Sequence, residues 1–139
     1  MKVSDIMTSK LISVKPDQSI LEASAMLKKY NIGALPVISE DRNLRGIVTD
    51  RDIVLRCVAA DSDPSLTPVK EIMSRNIVSV SPDTPLGEAA EIMSEHRVRR
   101  LPVVEDGRVE GMISLGDMAK AHAPTVEIST ALSEICSDD

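Results

Sequence analysis

Apolar residues recur at helical spacing at Ile20, Ala23, Met26-Leu27 and Tyr30, which predicts a helix with one apolar face over residues 20–30. Ser19-x-x-Glu22 has the spacing of a capping box at its start. Around it the rhythm is that of short strands. Residues 11–14 are apolar-rich and stop at Pro16-Asp17. Residues 35–38 and 44–49 read as two further strands separated by the polar turn 39–43. Residues 50–60 read as a second helix, with Ile53, Val54, Cys57 and Val58 on one face. The order strand–helix–strand–strand–helix then returns over 77–80, 86–96, 101–104, 109–114 and 115–121. In this second pass Thr84-Pro85 offers an N-cap followed by proline at the first helical position, one residue out of step with Ser19.

The residues repeat as well as the pattern. Val3-Ser-Asp-Ile-Met7 returns as Val69-Lys-Glu-Ile-Met73, Ser13-Val14-Lys-Pro16-Asp17 as Ser79-Val80-Ser-Pro82-Asp83, and Leu35-Pro36-Val37 as Leu101-Pro102-Val103. Gly46-Ile-Val-Thr49-Asp-Arg-Asp52 returns as Gly111-Met-Ile-Ser114-Leu-Gly-Asp117. The offset is 66 up to Glu40/Asp106 and 65 after one deletion in a loop. Two copies of one α/β (α+β) unit are therefore expected, packed about a pseudo-twofold axis. Repeat 1 spans 1–60, a polar linker 61–68, repeat 2 spans 69–122, and 123–139 is an acidic tail with a short helix near 129–135. Such an axis leaves a cleft between the copies, and the paired Gly-x-x-[Thr/Ser]-x-x-Asp stretches are the candidates to line it.

Composition narrows the class. Hydrophobic residues make up 42% of the 139, enough for a core, yet aromatics are 1%, so aliphatic side chains and seven Met must fill it. With Tyr30 as the one aromatic there is no base-stacking platform. The net charge of −6 is concentrated in the linker and tail; the repeats carry about +1 and −2. A local anion pocket is compatible with that balance, and a broad nucleic-acid surface is not expected. Cys57 and Cys136 form no disulfide pattern, which suits a reducing cytoplasm. The N-terminus lacks the apolar core of a signal peptide, and no apolar run approaches the ~18 residues of a membrane helix. No membrane association is expected.

The duplicated order of an Ile-Met-[Thr/Ser] opening, a Pro-Asp before the first helix, Leu-Pro-Val on a strand and Gly-x-x-[Thr/Ser]-x-x-Asp at the last strand-to-helix turn resembles a cystathionine β-synthase (CBS) domain pair over about residues 1–122. The chain reads as a stand-alone regulatory pair. The resemblance implies that an adenosine-containing ligand binds between the repeats: AMP, ADP, ATP, or S-adenosylmethionine or NAD-type molecules. It also implies a disc-like homodimer. Met26, Leu27, Met93, Ile53 and Val54 are the candidates for its mutual surface.

Thr49-x-x-Asp52 and Ser114-x-x-Asp117 admit two readings. They have the spacing of a capping box with Asp in place of Glu. A helix start also offers N–H groups to a phosphate, a hydroxyl there adds a hydrogen bond, and a carboxylate one turn on accepts a ribose diol. The resemblance implies ribose binding by Asp52 and Asp117 and phosphate binding by Thr49 and Ser114. Gly46 and Gly111 fit a turn or a bulge; their functional value would be close backbone approach. Leu35-Pro36 and Leu101-Pro102 fit an edge strand with its leucines in the core; the resemblance implies that they flank adenine together with Leu11 and Ile77. His96-Arg97-Val98-Arg99-Arg100 is the one cationic cluster. It fits a solvated helix end, or a phosphate clamp through Arg99 and Arg100 that repeat 1 lacks. Arg51, replaced by Gly116 in repeat 2, is a further phosphate candidate.

His96 and His122 lack metal-ligand spacing, and no Ser/Cys–His constellation or phosphate-binding glycine loop is present, so no metal site, cofactor or catalytic residue is expected. The expected ligand is an adenine nucleotide acting as a regulator, with a protein partner left unspecified. The alternative is a dimeric interaction or scaffold protein with unoccupied clefts.

Overall fold

The computed structural model describes residues 1–121; the expected tail and its helix, with His122 and Cys136, lie outside the described residues. Its elements are α1 (Val3–Ile6), α2 (Ile20–Tyr30), β1 (Ala34–Ile38), β2 (Leu44–Thr49), α3 (Asp50–Ile53) continued by a π-helical turn Val54–Val58, a 3-10 turn Val69–Glu71, α4 (Leu86–His96), β3 (Arg100–Glu105), β4 (Arg108–Ser114) and α5 (Leu115–Lys120). The mixed α/β repeat read from the sequence is present twice. β1 pairs antiparallel with β2, and β3 with β4.

The chain divides into two compact units that cut across the sequence repeats. One unit is Ile12–Ile77; the other joins Met1–Leu11 to the chain from Val78 onward. We call them the 12–77 unit and the 78-on unit. Each repeat thus gives its opening segment to the other repeat's unit. In the 12–77 unit the Val69 and Lys70 N–H groups donate to the Gln18 and Pro16 carbonyls, and Ile20 N–H donates to Thr67 O. In the 78-on unit Val3 and Ser4 donate to Thr84 and Pro82, and Leu86 to Met1. The linker thereby satisfies the first amides of α2 and the N-terminal segment the first amide of α4, groups that a helix start leaves without intrahelical partners.

The strands expected at 11–14 and 77–80 reduce to single bridging residues. Val14 N–H donates to Pro36 O at 3.1 Å and Val14 O accepts from Ile38 at 2.9 Å; Val80 does the same with Pro102 and Val104 at 3.1 and 2.8 Å. Extending the first parallel ladder would need an N–H from Pro36 on one side and Pro16 on the other. Extending the second would need one from Pro102 and Pro82. None of the four prolines has it.

The same alternation explains why proline is tolerated inside β1. Pro36 stands opposite Ile47 in a pair whose backbone groups point outward: Pro36 O to Val14, and Ile47 N–H and C=O to Ser74 at 2.9 and 2.8 Å. In the 78-on unit Thr8 and Met112 exchange two bonds of 2.9 Å in the same way. Gly46 and Gly111 lie beside these bridges. A Cβ on Gly46 would stand 2.7 Å from Ser74 O, and one on Gly111 2.5 Å from Thr8 O. Each also adjoins a register shift, after Val37 and Val103. Close backbone approach and bulge thus hold together.

The cores are aliphatic. In the 12–77 unit Ile20, Ala23, Leu27, Leu35, Val37, Val48, Cys57, Val69, Ile72 and Met73 are buried around Val14. In the 78-on unit Val3, Leu86, Ala89, Ala90, Met93, Leu101, Val103, Ile113, Leu115 and Met118 are buried around Val80. Leu27 and Met93 are core residues, which removes them from the expected mutual surface. The helix expected over 50–60 departs from its pattern: Ala59 N–H reaches back five residues to Val54 O. Only Cys57 of its apolar residues is buried, while Val54 and Val58 are exposed, because the wider turn no longer stacks positions four apart. α2 keeps half of its expected capping box. Ser19 Oγ accepts from Glu22 N–H, but the Glu22 carboxylate takes the Gln18 amide. α4 spans the expected 86–96, but its N-cap is Pro85 and not Thr84, whose Oγ1 accepts the Ser81 N–H instead.

Candidate functional site

Both Thr49 and Ser114 end a strand and start a helix, held there by reciprocal caps. Asp52 N–H donates to Thr49 Oγ1 at 3.1 Å and Thr49 N–H donates to Asp52 Oδ2 at 3.0 Å. Asp117 N–H donates to Ser114 Oγ at 3.0 Å and Ser114 N–H to Asp117 Oδ2 at 3.2 Å. The capping reading is therefore realised, and it leaves chemistry over. Each hydroxyl is used as an acceptor, so its O–H still donates. Each carboxylate uses one lone pair of Oδ2, so Oδ1 remains.

The helix amides are another matter. In α3 the N–H groups of Asp50, Arg51 and Asp52 are taken by Gly33 O, Asp50 Oδ1 and Thr49 Oγ1. The expectation of free N–H groups at this helix start does not hold, because the acidic first turn and its cap satisfy them. What this helix start leaves unspent is the Thr49 O–H, and Arg51 is exposed in its first turn.

The remaining candidates separate by sheet face. Leu35, Val37 and Val48 point into the core, so by alternation Ala34, Pro36, Ile47 and Thr49 share the opposite face. In the 78-on unit the same face carries Arg100, Pro102, Met112 and Ser114. Arg100 is the Cα partner of Ser114, where the 12–77 unit has Ala34 opposite Thr49. The register thus brings together Thr49 with Pro36, and Ser114 with Pro102 and Arg100. It does not bring in Leu35 and Leu101, whose side chains lie in the core on the other face; Pro36 and Pro102 are buried too, but on the Thr49 and Ser114 face. Arg99 is exposed and its carbonyl accepts the Leu115 N–H at 2.9 Å. Leu11 and Ile77 are half-buried at the points where the chain passes from one unit to the other, outside any strand.

Sequence reasoning passed over Arg56. Its Nη1 donates to Ile72 O at 2.9 Å and its Nε lies 3.9 Å from Asp52 Oδ1. The signal available was an acid four residues before a base on a helix.

Among the described residues no group of three or more His, Cys, Asp and Glu stands together as a metal would require, and no helix is long and apolar enough to cross a membrane.

Comparison with known proteins places this architecture. The CBS domain family model matches residues 3–58 and 69–124. The CBS domain-containing protein YhcV of Bacillus subtilis is 41% identical over 133 residues, covering 96% of this chain and 94% of that one. Hypoxic response protein 1 of Mycobacterium tuberculosis is 34% identical over 133 residues, covering 96% and 92%. The crystal structure of Hypoxic Response Protein I with two coordinated zinc ions is similar at a TM-score of 0.80 and 32% identity, covering 89% of this chain and 100% of that one. The CBS domain pair of protein MJ0100, in complex with 5′-methylthioadenosine and S-adenosyl-L-methionine, is similar at a TM-score of 0.74 and 33% identity, covering 87% and 94%. With two family matches on two repeats of one fold, the chain belongs to the CBS domain family, as a tandem CBS pair.

Proposed function

We propose that this protein is a non-catalytic regulatory module of the cytoplasm that binds an adenosine-containing ligand of the AMP, ADP or ATP class and works as a homodimer. The observation that carries the reading is the spare bonding capacity left by each cap. Thr49 and Ser114 each hold an O–H donor, and the half-buried Asp52 and Asp117 each a carboxylate oxygen, on capped strand-to-helix junctions. Asp52 and Asp117 accept ribose hydroxyls. Thr49, Arg51, Ser114, Arg99 and Arg100 serve phosphate. Pro36 and Pro102, on the Thr49 and Ser114 faces, flank adenine in place of the leucines beside them. The solved CBS pair that holds 5′-methylthioadenosine and S-adenosyl-L-methionine supports an adenosyl ligand for this chain too.

Thermal shift with AMP, ADP, ATP, 5′-methylthioadenosine and S-adenosylmethionine tests it. A ligand at a hundred times its Kd adds about 2.7 kcal/mol, which is roughly 5–10 °C for a protein of this size. A flat panel rejects the reading. It would favour the second one, an interaction protein working through the exposed Val54, Leu55 and Val58.

A further inference from the structure

We propose that Arg56 is a positioning residue for Asp52 and makes the two duplicated sites unequal, an inference that rests on the ligand-binding reading of Asp52 above. The guanidinium is anchored first. Its Nη1 donates to the Ile72 carbonyl at 2.9 Å, in the segment that repeat 2 contributes to the 12–77 unit. So held, it places Nε 3.9 Å from Asp52 Oδ1.

Asp52 already has Oδ2 on the Thr49 N–H. One hydrogen bond leaves the carboxylate free to swing about its last torsion, which is broad for Asp. A fixed positive charge beside the second oxygen sets the carboxylate plane. The Asp52 side chain is only 15% exposed, so solvent competes weakly at that oxygen. Acid before base at four residues is also the favourable order on a helix. A ribose diol needs both of its acceptors in a set plane, and a carboxylate held in advance loses less freedom on binding.

The second copy lacks the device. The position 65 residues after Arg56 is Ala121, so Asp117 has its cap from Ser114 but no arginine four residues on; the basic residue of its helix is Lys120, three residues on and exposed. The contacts also close a ring within the 12–77 unit: Thr49 to Asp52, Asp52 to Arg56, Arg56 to Ile72, and Ser74 back to Ile47 beside Thr49. Asp52 is thereby tied to the docking of the opening segment.

The test compares AMP with its 2′,3′-dideoxy analogue by calorimetry, in an Asp117→Ala background that leaves one site. Arg56→Ala should weaken AMP about two- to fivefold, the range of a solvent-exposed ion pair, and leave the dideoxy analogue unchanged. Arg56→Lys, which keeps the charge, should recover part of the loss. Equal loss for both ligands would mean that Arg56 only supports the fold, and no loss would mean that it does nothing for Asp52; either overturns the proposal. A ligand-free readout keeps the two readings apart. Amide exchange at Thr49 should quicken in Arg56→Ala while Ser114 stays unchanged. If the wild type binds no adenosine ligand, the site reading falls, yet faster Thr49 exchange still upholds the positioning and unchanged exchange overturns it.

Discussion

Asp52 Oδ2 accepts the Thr49 N–H at 3.0 Å while Thr49 Oγ1 accepts the Asp52 N–H at 3.1 Å. Two residues thus fix each other at the point where β2 becomes α3, before any ligand arrives. Removing the hydroxyl should cost the cap. Thr49→Ala and Ser114→Ala are each expected to destabilise by about 1 kcal/mol in urea unfolding, with Thr49→Ser close to wild type.

Gly46 and Gly111 should tolerate no side chain. An added Cβ meets the Ser74 or Thr8 carbonyl oxygen, and those atoms are committed to bridge bonds with Ile47 and Met112. Gly46→Ala and Gly111→Ala should each lose roughly 1–3 kcal/mol. Gly116 is the internal control. Its Cβ would meet only Ser114 Oγ, at 3.8 Å, inside α5, so Gly116→Ala should be neutral or stabilise by up to about 1 kcal/mol. Unfolding curves of the three variants check this.

The glycines show what the sequence could and could not say. Their recurrence at one offset was plain, and so were the repeat, the helices 20–30 and 86–96, and the strand pairs. The reason for the glycines was not, because it lies in a segment some thirty residues or a hundred residues away along the chain. Thr8 lies against Gly111 and Ser74 against Gly46 only because each repeat hands its opening to the other's unit. Local pattern does not record such an exchange. The same limit hid half of the blocked ladders at Val14 and Val80: Pro16 and Pro82 stop each run locally, but Pro36 and Pro102 stop it from a neighbouring strand. Thr49 and Asp52 were legible because a cap is local. The burial of Leu35 and Leu101 was legible as the default reading of a strand. Arg56 was not legible as a site residue, since its anchor on Ile72 is a tertiary contact.

Val54, Leu55 and Val58 are more than half exposed on the helical segment after Thr49, and this apolar surface is the best remaining candidate for the homodimer contact. Sedimentation should show a dimer at micromolar concentration and a monomer for Val54→Asp/Val58→Asp, with an unchanged helical spectrum. A wild-type monomer, with or without ligand, would count against the dimer.

Acid should act through the turns. The Ser65 hydroxyl and then its backbone N–H hold the Asp63 carboxyl below its ordinary 3.8, and the Ser39 hydroxyl, the Asn43 N–H and Arg45 do so for Asp41. A carboxyl lowered on folding stabilises above its unfolded value and loses that contribution as pH falls through the folded one. Asp63→Asn should therefore be less stable than wild type at neutral pH, and the gap should close as pH falls below 3.8. A gap that is constant with pH would mean the charge is irrelevant.

The most direct test of ligand recognition is calorimetric titration of AMP into wild type, Asp52→Ala, Asp117→Ala and the double variant. Charge-assisted hydrogen bonds are worth roughly 1.5–3 kcal/mol each, so each single variant should lose about tenfold to a few hundredfold at its own site. Asn at the same positions should lose less, since it keeps one acceptor. The double variant should bind no AMP at the wild-type strength of either site. Wild-type affinity in the double variant, whatever its melting temperature, would contradict the ribose-binding role of both aspartates.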